Sequence, residues 1–326
     1  FKQKTAYEIR LSLVGSEMCI RDRYKIGQYI KFKKMENGYD DLNIQIITSE
    51  NNYLAKVFSE EKSDTQCQKY IQAIKQLIDL GVNHPQLHKN NYQYFSSISV
   101  GKLKKVRVCL MNFAEGGNLL QNGIILEKGD FDSLIKQVLL LHKVDQKNTI
   151  SEGFWSVTHF KQIYDEKQHI LDKVECDKMG KILEEFSKMR IDSLPHRFIH
   201  GDLVKTNIVK KTGNSLYIID LSAAGYYPRI QELAVLLTNI FFDENSIEES
   251  KELYNFLLER YQEGATLTNE ELTALPLFVL AAHCINILCP LYEKIVHGNT
   301  STENEYWLTL GRKGLSFADE LYQYRN

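Results

Sequence analysis

The chain has 326 residues, of which 43% are hydrophobic and 25% are charged, and its formal net charge is -2. This composition is typical of a folded soluble protein, and the length suffices for two domains with their own cores. The small net charge argues against a general nucleic-acid binder, and we expect no membrane span because no apolar run has the required length. The six cysteines form no C-x-x-C pair, which predicts reduced thiols in a cytoplasmic protein.

The first residues differ from the rest of the chain. Residues 13–23 read LVGSEMCIRDR, which resembles the translation of an adapter used in preparing sequencing libraries. We therefore expect residues 1–23 to be a sequencing artefact and not native sequence. A genuine N-terminal helix is the alternative. A signal peptide fits less well, because Glu17, Arg21 and Asp22 interrupt any apolar core.

Residues 24–112 are expected to form a small sheet with one helix. Predicted strands cover residues 30–35, 42–48, 53–58, 92–99 and 105–112. A turn with Gly38 separates the first two strands, and Lys56 lies on the third among apolar neighbours. A helix is predicted over residues 63–80, because Ser63 or Asp64 can cap its start and its apolar residues recur at helical spacing before Gly81 ends the pattern. Considered alone, Lys56 could also be a solvent-facing strand lysine, since lysines are commonly exposed.

From residue 113 to residue 326 the pattern is mostly helical. The last sheet strand first runs through Met111, Asn112 and Phe113 into a turn with two glycines. Predicted helices then cover residues 131–142, 157–173, 178–189, 229–242, 247–261, 270–296 and 304–322.

One stretch of this second region carries a dense set of polar side chains. Residues 199–222 read IHGDLVKTNIVKKTGNSLYIIDLS, and apolar, β-branched runs on each side of a turn predict two short strands. This hairpin brings Asn207 and Asp220 together, and Asp202 lies on the loop before it. Phosphoryl transfer from ATP needs one carboxylate to deprotonate a hydroxyl and an oxygen-rich pair to hold Mg²⁺. The three side chains together could supply both.

The spacing H-x-D-x-x-x-x-N, here His200, Asp202 and Asn207, is followed by I-I-D ending at Asp220. This wording resembles the aminoglycoside phosphotransferase and choline kinase group of small-molecule kinases. The resemblance implies an α+β, bilobal protein-kinase-like fold, with a small antiparallel-sheet N-lobe and a large, mostly helical C-lobe. It also implies ATP and Mg²⁺ as cofactors. The acceptor would be a small molecule with a hydroxyl group, such as an aminoglycoside, choline or homoserine, with no nucleic-acid or membrane partner.

The same resemblance implies roles for individual residues. Asp202 would be the catalytic base, and Asn207 with Asp220 would hold Mg²⁺. The remaining implied roles are binding of the ATP phosphates by Lys56 and the Gly38 turn, binding of adenine by Met111, Asn112 and Phe113, and support of the catalytic loop by His200 and Glu232.

Departures from the family pattern keep two alternatives open. The family's helix glutamate, which pairs with the strand lysine, is missing from residues 63–80, where Gln68 and Gln72 could replace it. A catalytically weak, nucleotide-binding pseudokinase is therefore one alternative. A protein Ser/Thr kinase is the other, although D-L-S stands at Asp220 in place of D-F-G and no A-P-E follows. Lys205 could reach a γ-phosphate or lie at the surface.

Overall fold

The structure is a computed structural model that describes residues 24–35, 41–100, 104–145, 147, 156–211 and 215–321. Gly38 and the suspected artefact at residues 1–23 lie outside these ranges. The chain divides into two compact units, and the boundary falls between Gly116 and Gly117. The sequence predicts this boundary a few residues earlier, after residue 112.

The first unit is built on an antiparallel sheet. Its strands are β1 (Tyr29–Lys34), β2 (Leu42–Thr48), β3 (Asn52–Val57), β4 (Leu87–His88), β5 (Phe95–Val100) and β6 (Lys104–Asn112). They pair in the order β1-β2-β3-β6-β4, and β5 also pairs with β6. Along β2, fully buried residues alternate with partly exposed ones, as expected for a strand that packs one face against a core. The strands predicted from the sequence are confirmed, with ends shifted by up to a few residues.

One helix, α1 (Asp64–Asp79), follows β3 in the first unit. Ser63 caps it: the Ser63 hydroxyl accepts the Gln66 N–H, while the Gln66 side chain accepts the Ser63 N–H. The buried face of α1 consists of apolar and aromatic residues, namely Cys67, Tyr70, Ile71, Ala73, Ile74 and Leu77. The predicted helix and its cap are therefore confirmed.

The second unit is mostly helical. Its helices are α2 (Lys128–Leu141), α3 (Phe160–Lys167), α4 (Lys173–Ser187), α5 (Ile230–Asn239), α6 (Ile247–Gly264), α7 (Asn269–Val296) and α8 (Thr302–Leu321). The sequence predicts one continuous helix over residues 157–173, and this is wrong. The Asp172 side chain accepts the Glu175 N–H at 2.8 Å and so starts α4 as a new helix.

Helix α7 is central to the second unit, where α3, α4, α5 and α8 all pack against it. By length and composition α7 could cross a membrane, so the expectation that no apolar run is long enough was wrong. However, 72% of its most apolar window is buried inside the structure. Such burial is typical of the core helix of a globular unit, which is apolar on all sides because it has neighbours on all sides.

The cysteines that the structure describes are free thiols, namely Cys67, Cys109, Cys176, Cys284 and Cys289. Burial raises the pKa of the Cys67 thiol to about 11 and that of Cys109 to about 12. Both thiols therefore stay protonated near neutral pH, where the reactive thiolate would be scarce.

Two small sheets in the second unit hold the polar loops. Their strands are β7 (Gly117–Asn118), β8 (His196–Ile199), β9 (Ile208–Lys210), β10 (Leu216–Ile218) and β11 (Gly225–Pro228). One sheet has the order β10-β9-β7, and the other pairs β11 with β8. The β9–β10 pair confirms the predicted hairpin, while β7, β8 and β11 were not predicted. The loop 200–207 therefore begins and ends on sheet strands.

A buried ion pair connects the start of α5 to the start of α7. Arg229 donates from Nε and Nη2 to the two carboxylate oxygens of Glu271, both at 2.7 Å, and from Nη2 to the Thr266 carbonyl. Glu271 is fully buried and also completes the capping box of α7 with Thr268. A buried charge is tolerated when it is paired and hydrogen-bonded in this way.

Replacing Glu271 by alanine is expected to destabilise the protein by about 3–5 kcal/mol, because Arg229 keeps its buried charge without the carboxylate. Urea unfolding followed by circular dichroism measures the loss. The control is Asp165→Ala, which removes an exposed pair with Lys161 on α3 and should cost at most about 1 kcal/mol. Equal losses in the two variants would contradict the assignment of Glu271 as an anchor.

Candidate active site

The loop that carries Asp202 closes on itself through Asn207. The Asn207 Nδ2 atom donates to the backbone carbonyl of Asp202 and to its carboxylate Oδ2, each at 2.8 Å. A short 3-10 turn, Lys205–Asn207, brings the amide back to Asp202. The H-x-D-x-x-x-x-N spacing thus becomes a direct contact between two of the predicted site residues.

These two bonds also determine which way the Asn207 amide points. A backbone carbonyl can only accept a hydrogen bond, so the amide nitrogen has to face Asp202. The amide oxygen of Asn207 is therefore directed away from Asp202. A carboxamide oxygen is a suitable ligand for a hard cation such as Mg²⁺, so this orientation fits the predicted metal role.

His200 is fully buried and makes hydrogen bonds to the backbone at both ring nitrogens. Its Nε2 atom lies 2.9 Å from the Ile219 carbonyl, and its Nδ1 atom accepts the Asp202 N–H at 3.3 Å. Because the carbonyl can only accept, the proton is on Nε2, and Nδ1 is the unprotonated nitrogen. Burial lowers the pKa of His200, which favours the same neutral form. Both ring nitrogens are occupied by the backbone, as a supporting role requires.

Gly201 and Glu232 form a second support. Gly201 has φ +78°, and a Cβ atom there would lie 2.7 Å from the Ala223 carbonyl oxygen, so a side chain would be strained and crowded. The Gly201 N–H donates to Glu232 Oε2 at 2.8 Å. Glu232 is on α5 and fully buried, and burial raises its pKa to about 7 although the Gly201 N–H acts in the opposite direction.

The carboxylate of Asp202 has an unusual electrostatic environment. Its pKa is raised to about 7, first by burial and then by the negative charge of Asp220, while the Asn207 hydrogen bond acts in the opposite direction. The charge of Glu303, at the start of α8, also raises it. A general base is most effective when its pKa lies near the working pH, so this environment suits the role predicted for Asp202.

Asp220 adopts a left-handed backbone conformation with φ 63°. Short polar residues tolerate this region better than most others. Its Oδ1 atom accepts the Ser222 hydroxyl at 2.6 Å and the Ser222 N–H at 3.2 Å, which fixes the plane of the carboxylate. This role of Ser222 is not among the sequence-based predictions, although an Asp followed two residues later by Ser is a recognisable turn signal.

The donor set of Asn207 and Asp220 is an amide oxygen and a carboxylate oxygen, which suits Mg²⁺. Within the part of the chain that the structure describes, no group of three His, Cys, Asp or Glu residues could hold a metal ion. A Mg²⁺ ion at this pair would therefore need oxygens from elsewhere to complete its coordination, and ATP phosphates and water are suitable sources.

In the first unit, Lys56 on β3 is buried, with 2% of its surface exposed. The solvent-facing alternative for this lysine is therefore wrong. Its Nζ atom lies 3.2 Å from Oδ2 of Asp41, a residue that sequence analysis did not consider. Gln68 and Gln72, the candidates to replace the missing helix glutamate, are both exposed.

The segment predicted to bind adenine lies at the end of β6. The Met111 side chain is buried, at 3% exposed. The backbone N–H groups of Asn112 and Phe113 already donate to the carbonyls of Gln86 and Asn52. An adenine ring bound here would have to use other backbone groups. The structure therefore places these residues at a strand end, and their role in binding adenine stays a prediction.

Lys205 is partly buried and makes a contact that the sequence does not predict. Its Nζ atom donates to the Tyr306 hydroxyl at 2.6 Å, and that hydroxyl faces Glu244 at 3.4 Å. Burial lowers the pKa of Lys205, while the charges of Glu244 and Asp243 act in the opposite direction. Tyr306 lies on α8, and no local pattern could have connected it with a loop so distant in sequence.

Comparison with known proteins places these features in a family. A model of the phosphotransferase enzyme family matches residues 31–267 of the chain. This range covers all the predicted site residues from Gly38 to Glu232.

Solved structures of small-molecule kinases are similar in fold. The amicoumacin kinase hAmiN has a TM-score of 0.69 and is 13% identical, with 98% of this chain and 96% of that chain covered. A spectinomycin phosphotransferase has a TM-score of 0.63 and is 14% identical, with 91% and 95% covered. A choline kinase from Streptococcus pneumoniae has a TM-score of 0.59 and is 15% identical, with 96% and 99% covered. These identities show the fold alone, and they confirm the expected protein-kinase-like α+β fold.

Glu232→Gln is expected to change how stability depends on pH. Because the folded-state pKa of Glu232 is about 7 and its ordinary value is 4.5, the folded protein holds the proton between these values while the unfolded chain releases it. The stability of the native protein should therefore fall as pH rises from 4.5 through 7. The glutamine of the variant cannot ionise, so the stability of the variant relative to the native protein should rise across this window, by on the order of 3 kcal/mol.

Urea unfolding at several pH values between 4 and 8 measures the difference between the two proteins. The control is Glu184→Gln, which changes an exposed glutamate on α4 and should give a difference independent of pH. A pH-independent difference for Glu232→Gln as well would contradict the raised pKa.

Proposed function

The chain belongs to the phosphotransferase enzyme family, and we propose that it transfers the γ-phosphoryl group of ATP to a hydroxyl group of a small molecule. It is therefore a kinase of the small-molecule type, and its individual acceptor is the open part of the proposal. The expected cytoplasmic location stays a prediction.

The observation that carries the proposal is the contact between Asn207 and Asp202. The Asn207 amide holds the Asp202 carboxylate by its Oδ2 atom and the loop by the Asp202 carbonyl. One residue predicted to bind Mg²⁺ and the residue predicted to act as the base are thereby fixed relative to each other. Phosphoryl transfer depends mainly on positioning and electrostatics, so a rigid arrangement of this kind is what the reaction needs.

The proposed reaction moves one proton and one phosphoryl group. The acceptor hydroxyl gives its proton to the Asp202 carboxylate as its oxygen bonds to the γ-phosphorus. The bond between the γ-phosphorus and the oxygen that bridges it to the β-phosphate breaks, and ADP leaves with that oxygen. A pKa near 7 lets Asp202 take this proton and release it to water afterwards.

Asn207 and Asp220 would hold Mg²⁺, which neutralises charge on the phosphates of ATP. Lys56 would bind phosphate oxygens through its ammonium group. The missing helix glutamate was the reason for the pseudokinase alternative, but Asp41 provides Lys56 with an acidic neighbour. The missing glutamate is therefore no longer an argument for a pseudokinase.

For the acceptor we propose a hydroxyl compound that also carries an amine, of the aminoglycoside, choline or homoserine type. The similar structures include kinases named for spectinomycin, choline and ethanolamine. In this chain, Glu303 is close enough to Asp202 to raise its pKa, and Glu244 is near Tyr306 beside the loop. Negative charge near the base attracts a cationic acceptor.

The proposal is tested by measuring ADP release from Mg²⁺-ATP with a panel of amino alcohols, aminoglycosides and uncharged alcohols. We expect some amine-bearing acceptor to stimulate ADP release and to gain one phosphate by mass spectrometry. Stimulation by uncharged alcohols alone would contradict the amine-bearing acceptor. No binding of Mg²⁺-ATP and no stimulation across the panel would contradict the kinase function.

Substituting Asp202 and Asp220 by asparagine should separate their roles. Asp202→Asn is expected to lower turnover by about 10²–10⁴-fold while leaving Mg²⁺-ATP affinity within about twofold, because the base acts only in the transition state. Asp220→Asn removes a charged metal ligand, so Mg²⁺-dependent nucleotide affinity should fall together with turnover. Calorimetric titration with Mg²⁺-ATP and the ADP-release assay measure both quantities.

The matched control is Asp165→Asn, an exposed aspartate on α3, which should leave both quantities unchanged. Equal loss of Mg²⁺-ATP affinity in Asp202→Asn and Asp220→Asn would show that the division of roles is wrong.

A further inference from the structure

Two lysines of the first unit share one buried carboxylate. Oδ2 of Asp41 lies 2.7 Å from Nζ of Lys62 and 3.2 Å from Nζ of Lys56. Asp41 is 4% exposed, Lys56 is 2% exposed and Lys62 is 9% exposed. Surface ion pairs contribute little, but at this depth each charge depends on its partners.

The strand register explains why Asp41 and Lys56 meet. In the β2–β3 pair, Asn43 stands opposite Lys56. Asp41 precedes Asn43 by two residues, so both side chains leave the same face. Asp41 is therefore the diagonal neighbour of Lys56, a distance that a lysine side chain can span.

The Asp41 carboxylate is held on its other side by the backbone. Its Oδ1 atom accepts the N–H of Ser59 at 2.9 Å, just beyond β3. Burial alone would raise the pKa of Asp41, but the charges of Lys56 and Lys62 outweigh it and lower the pKa. The carboxylate is therefore ionised at neutral pH and is fixed by bonds to both of its oxygens.

Helix α1 offers Lys56 no carboxylate. Its acidic residues are at its two ends, where Asp64 is exposed and pairs with Arg107, and Asp79 is exposed. The residue that α1 presents to Lys56 is Tyr70, whose ring centre lies 5.3 Å from Nζ. A lysine ammonium over an aromatic ring gains a modest electrostatic attraction, but the ring cannot neutralise its charge.

We propose that Asp41, the residue just before strand β2, is the positioning residue for Lys56 and takes the role that a helix glutamate has in related kinases. Lys62 is the second cation on the same carboxylate. This inference rests on the proposed function, in which Lys56 binds the phosphates of ATP.

In protein kinases the lysine is competent only when the helix that carries its glutamate is in place, so helix movement can switch the site. Here the lysine is on β3, and its carboxylate comes from the residue just before β2, the strand that pairs with β3. The carboxylate that pairs with Lys56 therefore does not come from α1.

The test is a double-mutant cycle on the affinity for Mg²⁺-ATP, measured by calorimetry without acceptor. The four proteins are the native chain, Lys56→Ala, Asp41→Asn and the double variant. We expect Lys56→Ala to weaken binding by about tenfold or more, and Asp41→Asn to weaken it by about tenfold. In the Lys56→Ala background the Asp41→Asn change should alter affinity by less than about twofold, because the residue that Asp41 positions is gone.

Asp41→Asn leaves two buried ammonium groups on a neutral amide, and this variant could fail to fold. A second variant, Asp41→Asn with Lys62→Met, removes one charge of each sign and replaces the lysine by an apolar side chain of similar length. This variant should also bind Mg²⁺-ATP about tenfold more weakly than the native chain. In the Lys56→Ala background the same two changes should leave the affinity nearly unaltered. Asp64→Asn, an exposed aspartate on α1, is the matched control and should bind as the native chain does.

The outcomes separate the inference from the proposed function. If Lys56→Ala weakens binding but both Asp41 variants bind like the native chain, the inference is overturned and the function stands. If Asp41→Asn lowers Mg²⁺-ATP affinity equally with and without Lys56, Asp41 has a structural role only, and the inference is also overturned. If Lys56→Ala itself binds Mg²⁺-ATP normally, both the inference and the assigned role of Lys56 are wrong.

Discussion

The hydrogen bonds from Asn207 to Asp202 are the interaction on which the proposed chemistry depends most. They fold the loop back on itself, so the base and one metal ligand are held by a single side chain. The start of the loop needs further support, because its backbone passes through a left-handed conformation at Gly201. The Gly201 N–H donates to Glu232, and the Asp202 N–H donates to His200. These two hydrogen bonds hold the backbone of the loop in place.

This support has an electrostatic cost. Glu232 is fully buried and Asp202 is partly buried, the charge of Asp202 acts on Glu232, and the pKa of each is raised to about 7. Neither group increases the stability of the folded protein at neutral pH, because burial disfavours an ionised carboxylate. For a base that has to bind and release a proton near neutral pH, however, the same environment is useful, which is typical of functional sites.

The first unit solves a different electrostatic problem. A lysine that is nearly inaccessible to water needs a fixed anion close by, and the helix that usually carries one has none in the right place. The anion comes instead from Asp41, which directly precedes β2, the strand that pairs with the strand of Lys56. The backbone hydrogen bonds between β2 and β3 set the register of the two strands, and this register places the residue before β2 near Lys56.

The sequence by itself determined the elements and contacts that are local. Residues Asp202 and Asn207 are five positions apart, so their spacing alone predicted a shared loop, and the capping signal at Ser63 predicted where α1 begins. Only the tertiary structure decided the pairs between Asp41 and Lys56, Arg229 and Glu271, and Lys205 and Tyr306. These partners are distant in sequence or belong to different elements, and they meet because strand register and helix packing bring them together. A pattern of residue types records which groups are available, but it contains no information about which of them will share a buried space.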